Sequence, residues 1–109
     1  MILKEGVTLA GIHLLMRPVL KAAENIWKAH GIAEGVTVTC ARGGIHSAGS
    51  WHYYGLALDF RTRYFTEAVK VQVYADLKAA LPLYDIVSHG THIHVEPSDN
   101  LADQHGLLI

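Results

Sequence analysis

Two short stretches of this sequence combine residue types that bind metals in proteins. The first, residues 50–59, places the imidazole of His52 seven residues before the carboxylate of Asp59. The second, residues 89–94, carries three histidines. Zinc in catalytic sites is commonly bound by three side chains drawn from His, Asp, Glu and Cys, with a fourth position open to water. The two stretches together can supply such a set of ligands, and the rest of the chain must position them.

The composition indicates a folded protein with an unusual number of histidines. Half of the 109 residues are hydrophobic and 17% are charged, which is typical of a packed globule and not of a disordered chain. The formal net charge of -1 gives no basic field of the kind that attracts nucleic acid, so we expect no nucleic-acid partner. The eight histidines are the most informative feature, because histidine is the commonest metal ligand and titrates near neutral pH.

Targeting features are not evident in the sequence. The single cysteine, Cys40, permits no intramolecular disulfide, which fits a reducing compartment. Residues 1–15 are apolar but interrupted by charges, and they lack the basic start and cleavage site of a signal peptide. No stretch approaches the roughly 18 apolar residues of a membrane span. We therefore expect a monomeric single domain over residues 1–109 that is made in the cytoplasm and has no membrane partner.

Helical spacing of apolar residues predicts two helices. Pro18 suits the first turn of one helix, and Gly31 suits the position just after its end. Thr66 is expected to cap the start of a second helix, whose end is limited by Pro82. A shorter helical turn is expected between Thr8 and Leu15.

Alternating and β-branched residues predict the strands. The segments 36–42 and 56–60 are typical of strands, as are 84–88 and 91–96, while the residues after the last segment show no clear pattern. Side chains alternate between the faces of a strand, so Asp59 should lie on the face opposite the large apolar residues of its own segment. The order of elements predicts an α+β fold with a small antiparallel sheet and flanking helices.

The spacing of His92 and His94 places both imidazoles on one face of a strand. Taken alone, this pattern favours two exposed histidines on an edge strand, because a lone His-x-His is a weak signal. Asp59 favours the metal interpretation, since a carboxylate on a mostly apolar sheet needs a cation or a metal as partner. Cys40 is expected to be a small buried apolar residue and not a ligand.

The first stretch resembles the signature of a known zinc peptidase family. Its five fixed positions are all matched, by Ser50, His52, Gly55, Ala57 and Asp59. The family includes D-alanyl-D-alanine carboxypeptidases and the L-alanyl-D-glutamate endopeptidases of phage lysis. It belongs to a wider group with murein endopeptidase and the amino-terminal domain of hedgehog proteins. The resemblance implies the fold of this wider group. It also implies that Zn²⁺ is bound by His52, Asp59 and His94, and that Gly55 and Ala57 permit close packing.

The resemblance also implies catalytic residues, with one departure from the pattern. The family often has an arginine at the end of the preceding strand, facing the substrate, and Arg42 occupies that place, although a surface arginine is an equal alternative. Many members have Asp or Glu three residues before the last ligand, where this chain has Thr91. The histidine arrangement is more similar to the murein endopeptidase branch. It implies His92 or His89 as the proton-transfer group, with Glu96 as a further candidate.

The activity implied by this resemblance is zinc-dependent hydrolysis of peptide bonds in bacterial peptidoglycan. The substrate would be a stem peptide or a cross-link, and the protein would be a minimal phage-type endolysin that acts on the cell wall after release. Two alternatives stay open. One is a non-catalytic binding module that keeps its zinc, as hedgehog domains illustrate. The other is a structural protein of a phage particle.

Overall fold

The computed structural model describes residues 1–41 and 55–106 of the chain. The strands within them are β1 (Ile2–Leu3), β2 (Thr37–Cys40), β3 (Leu58–Arg61), β4 (Tyr84–Ser88) and β5 (His92–Pro97). The helices are α1 (Arg17–Ala29), α2 (Glu67–Ala80) and α3 (Asp99–Gln104). The predicted α+β class is therefore confirmed. None of the helices in the described residues has the length and apolarity needed to cross a membrane.

The strands form one mixed sheet in the order β1-β2-β3-β5-β4. The pairs β2–β3, β3–β5 and β5–β4 are antiparallel, whereas β1 pairs with β2 in parallel. The expectation of an antiparallel sheet is therefore wrong at this edge. A strand of two residues is too short to produce an alternating pattern, and its position depends on backbone bonds such as Ile2 N–H to Val36 O, at 2.7 Å.

The hydrophobic core lies between the sheet and the helices α1 and α2. Its largest fully buried side chains include Trp27 from α1, Phe60 from β3 and Leu77 from α2. Alternation along β3 and β5 directs their apolar residues to this core, so their polar residues occupy the opposite face. The polar face of the sheet is therefore the place where the candidate ligands of β3 and β5 meet.

The predicted ends of both long helices are confirmed. Pro18 lies in the first turn of α1, and Gly31 follows that helix with a φ of 65°, in the left-handed region that glycine adopts readily. The hydroxyl of Thr66 accepts a hydrogen bond from the backbone N–H of Val69 at 3.2 Å and caps α2. α2 ends two residues before Pro82.

The helical turn expected over residues 8–15 is shorter and later than predicted. Only Leu14–Met16 form a 3₁₀ turn, and it is capped by Nδ1 of His13, which accepts a hydrogen bond from Leu15 N–H at 3.1 Å. Thr8 instead accepts a hydrogen bond from Ala10 N–H within an irregular segment. Three residues of 3₁₀ helix are too few for helical periodicity to locate.

The helix α3 was not predicted, although its start has a recognisable signal. The hydroxyl of Ser98 accepts a hydrogen bond from the N–H of Leu101 at 3.2 Å, and Asp99 lies in the first turn, where a carboxylate favours the helix dipole. Leu101 and Ala102 are buried. A helix of six residues buries too few side chains to show a stripe, so only its cap marks it.

Gly55 lies at a close backbone contact, as expected for this position. Its φ is 70°, and a Cβ on it would lie 2.2 Å from the carbonyl oxygen of Gly11. The carbonyl of Gly55 accepts a hydrogen bond from His13 N–H at 2.9 Å. This contact joins the segment before β3 to the segment before α1, and a side chain at Gly55 would push the two apart.

Candidate metal centre

The pairing of β3 with β5 brings two of the predicted ligands together. Asp59 lies directly opposite His94 in the antiparallel register, although 35 residues separate them along the chain. An oxygen of the Asp59 carboxylate, Oδ1, lies 2.8 Å from Nδ1 of His94. The Asp59 side chain is 15% exposed and that of His94 is 19% exposed, so both are largely shielded from water.

A second carboxylate contacts the other nitrogen of the same imidazole. Oε1 of Glu96 lies 2.7 Å from Nε2 of His94, and the two residues share one face of β5. The hydrogen bond with Asp59 raises the pKa of His94, burial opposes this, and the bond with Glu96 adds to the increase. In the protonated imidazole both N–H groups therefore donate to carboxylates.

The Asp59–His94 pair has the donor atoms of a partial zinc site, and its spacing is close to the one that such a site needs. Two donors bound to one tetrahedral zinc at about 2.0–2.1 Å lie about 3.3 Å apart. The 2.8 Å between Oδ1 and Nδ1 would have to widen by about half an ångström, a change within reach of side-chain rotation. Glu96 would then accept from Nε2–H, the position of the carboxylate that commonly orients a zinc-bound histidine.

The described part of the chain supplies two of the three predicted ligands and not the third. Within residues 1–41 and 55–106, no group of three or more His, Cys, Asp or Glu side chains is arranged to hold a metal ion. The predicted ligand His52, the predicted catalytic Arg42 and the supporting Ser50 lie outside the described residues. The assignment of His52 as the third ligand therefore stays a prediction.

The two candidate proton-transfer histidines lie together at the turn between β4 and β5. The backbone N–H of His89 donates to the carbonyl of His92 at 2.8 Å, and the imidazole rings stack with centroids 4.6 Å apart. His92 is half-buried and shares the polar face of β5 with His94, whereas His89 is exposed. Thr91 is exposed, and its hydroxyl lies 3.2 Å from Nδ1 of His92.

The expectation that Cys40 is a buried apolar residue is wrong. It is half-exposed and pairs with Asp59 across β2 and β3, next to an irregularity in the register. Burial raises the pKa of its thiol, and the nearby carboxylate of Asp59 raises it further. The irregularity shifts the alternation of β2, so sequence periodicity alone could not assign Cys40 to a face.

Sequence reasoning missed Arg61. It lies on the same face of β3 as Asp59, directly opposite His92 on β5. The signal was present, because a residue two positions after Asp59 on a strand must share its face.

Comparison with known proteins adds no relative: no protein-family model, no curated protein and no solved structure matches the chain.

Proposed function

We propose that the chain is a zinc-dependent peptidase that hydrolyses peptide bonds of bacterial peptidoglycan, with a fold of the hedgehog and D-alanyl-D-alanine peptidase type. The observation that carries the proposal is the contact between Asp59 and His94 at 2.8 Å. Each lies in a different one of the two stretches that resemble motifs of that family, and the pairing of β3 with β5 brings the two stretches together. The proposed zinc ligands are His52, Asp59 and His94.

The surroundings of the pair support a hydrolytic role. A bound zinc would polarise the peptide carbonyl and lower the pKa of a water molecule towards about 7. Glu96 holds the imidazole of His94 in place through its second nitrogen. His92 is half-buried on the same face, where it could pass a proton to the leaving amine, and His89 stacks on it.

The departure at Thr91 favours a second candidate function. This residue has no carboxylate to act as a base, and it is exposed at the turn before β5. A zinc-containing binding module of the same fold needs the ligands but no proton-transfer group. Such a binding module would need the Asp59–His94 pair as zinc ligands, but it would not need His92 as a proton-transfer group.

Metal content and cell-wall digestion test the proposal together. The purified chain should hold zinc in a 1:1 ratio by elemental analysis, and the zinc-loaded protein should release peptide fragments from purified sacculi. Zinc without cleavage of any wall peptide would favour the binding module. A chain that takes up no zinc would contradict both and would favour a structural protein of a phage particle.

A histidine variant separates chemistry from metal binding. His92→Ala should abolish sacculus digestion and leave the zinc content unchanged, since His92 is not a proposed ligand. His105→Ala provides a matched control, because this exposed histidine follows α3 and lies in neither motif. Undiminished cleavage by His92→Ala would remove it as the proton-transfer group and would leave His89 and Glu96 as candidates.

A further inference from the structure

An open cleft lies on the polar face of the sheet beside the Asp59–His94 pair. It has a volume of ≈ 380 Å³, and Asp59 and His92 form part of its wall. Three cationic side chains, Lys4, Arg61 and Arg63, line the same cleft. Basic groups therefore border the proposed metal centre on the side where a substrate could approach.

The sheet register fixes the position of Arg61 relative to the centre. Arg61 follows Asp59 by two residues on β3 and lies opposite His92 on β5. Directly opposed residues of an antiparallel pair have Cβ atoms about 5 Å apart. The backbone pairing of β3 with β5 therefore places Arg61 next to His92 and on the same face of β3 as Asp59.

The charges of this cleft are unbalanced. Among the ion pairs of the described residues, none involves Lys4, Arg61 or Arg63. Among the described residues that line the cleft, Asp59 alone carries a carboxylate, and it already contacts the imidazole of His94. Three cations against one engaged carboxylate give the cleft a positive potential, which favours an anionic ligand.

We propose that this cleft binds a carboxylate of the substrate through Arg61 and Arg63, so that the preferred substrates are acidic peptides. The inference rests on the proposed peptidase function and narrows it. An arginine presents parallel N–H donors that match the two oxygens of a carboxylate, and such bidentate pairs are stronger than neutral hydrogen bonds.

A single carboxylate fits the cleft better than a polyanion does. The chain has 9 Lys and Arg against 10 Asp and Glu, so the cations of the cleft are local and not part of an extended basic surface. Binding of nucleic acid needs a run of phosphate contacts along such a surface. The charge distribution therefore selects a small acidic group as the ligand.

The test compares two peptides that differ only in charge. N-acetyl-L-alanyl-D-glutamate and its uncharged carboxamide analogue are titrated into the full chain with a chelator present, and Kd is measured from amide chemical shifts. Loss of a charge-assisted bond lowers affinity by about tenfold or more, so the acid should bind at least about tenfold tighter than the carboxamide. If chelation unfolds the chain, the KM values for hydrolysis of the two peptides by the zinc-loaded protein are compared in place of the Kd values.

Two arginine variants and one control complete the test. Arg63→Gln changes an exposed residue that follows β3, so it should fold normally and lose most of the preference for the acid. Arg61→Gln should likewise lose most of the preference for the acid, and Arg61→Lys should keep part of that preference. Arg17→Gln, an exposed arginine at the start of α1, should keep the full preference.

The opposite results would overturn the inference. Equal affinity of the wild-type chain for acid and carboxamide would do so, as would an undiminished preference in Arg61→Gln and Arg63→Gln. A chain that cleaves no sacculi but keeps the arginine-dependent preference for the acid would contradict the peptidase proposal and would leave the carboxylate-binding inference standing.

Discussion

Removing the carboxylate of Asp59 should abolish stabilisation of the protein by zinc. This carboxylate lies 2.8 Å from Nδ1 of His94 and is 15% exposed. At a free zinc concentration of about 100 times Kd, binding stabilises the folded state by about 2.7 kcal/mol. For a chain near 100 residues, each kcal/mol shifts Tm by about 4–8 °C, so the wild-type Tm should rise by on the order of 10 °C or more.

The Asp59→Ala variant should show two separable effects. In the presence of a chelator it loses the hydrogen bond with His94, which contributes about 1.5–3 kcal/mol when one partner is charged. Its Tm should therefore fall below that of the metal-free wild type. Addition of zinc should then leave the Tm unchanged, because a site that has lost one of three ligands no longer holds the metal tightly.

Thermal denaturation followed by circular dichroism, with zinc and with chelator, measures both effects. Asp85→Ala is the matched control, since Asp85 is an exposed carboxylate on β4 of the same sheet and should keep the full response to zinc. The ligand assignment is refuted if Asp59→Ala keeps the wild-type shift and zinc content. A wild-type chain whose Tm does not respond to zinc would refute the metal site itself.

Three further predictions concern the described residues. Gly55→Ala should lower the free energy of unfolding in urea by at least about 2 kcal/mol, because the new Cβ meets Gly11 O in a left-handed backbone; an unchanged midpoint would contradict the contact. Thr62→Val should raise that free energy by about 1 kcal/mol, since the buried Thr62 hydroxyl has no hydrogen-bond partner among the described residues, and a loss of stability would show a missed partner. In metal-free protein, the raised pKa of His94 stabilises the fold fully below the ordinary value of 6.5, and this contribution is lost as pH rises through the folded pKa. The Tm difference between wild type and His94→Gln should therefore shrink from acid to alkaline pH, and a difference that grows would invert the assigned direction.

The sequence was sufficient for features that depend on near neighbours in the chain. Pro18, Gly31 and Thr66 mark helix ends through local backbone geometry and capping, and the structure confirms all three. The strands β2 to β5 were predicted to within one or two residues of their described ends. Alternation also assigned Asp59 to the polar face of β3, because the two faces of a strand follow from the geometry of successive residues.

The two shortest elements, β1 and α3, were not predicted from the sequence, and the physical reason is the same for both. β1 has two residues and α3 has six, so neither is long enough for a hydrophobic period to rise above chance. β1 is held by backbone hydrogen bonds with the chain around β2, and α3 by its Ser98 cap and two buried side chains. The family resemblance, the zinc and the roles of His52 and Arg42 stay predictions.

By itself, the sequence determined which residue types could bind a metal and which face of β3 and of β5 would carry them. Only the tertiary structure decided their partners. The register of β3 against β5 sets Asp59 opposite His94, adds Glu96 on the other nitrogen and brings Arg61 beside His92. Register arises from pairing between segments distant in the chain, and a slip of one residue would turn every one of these side chains to the opposite face.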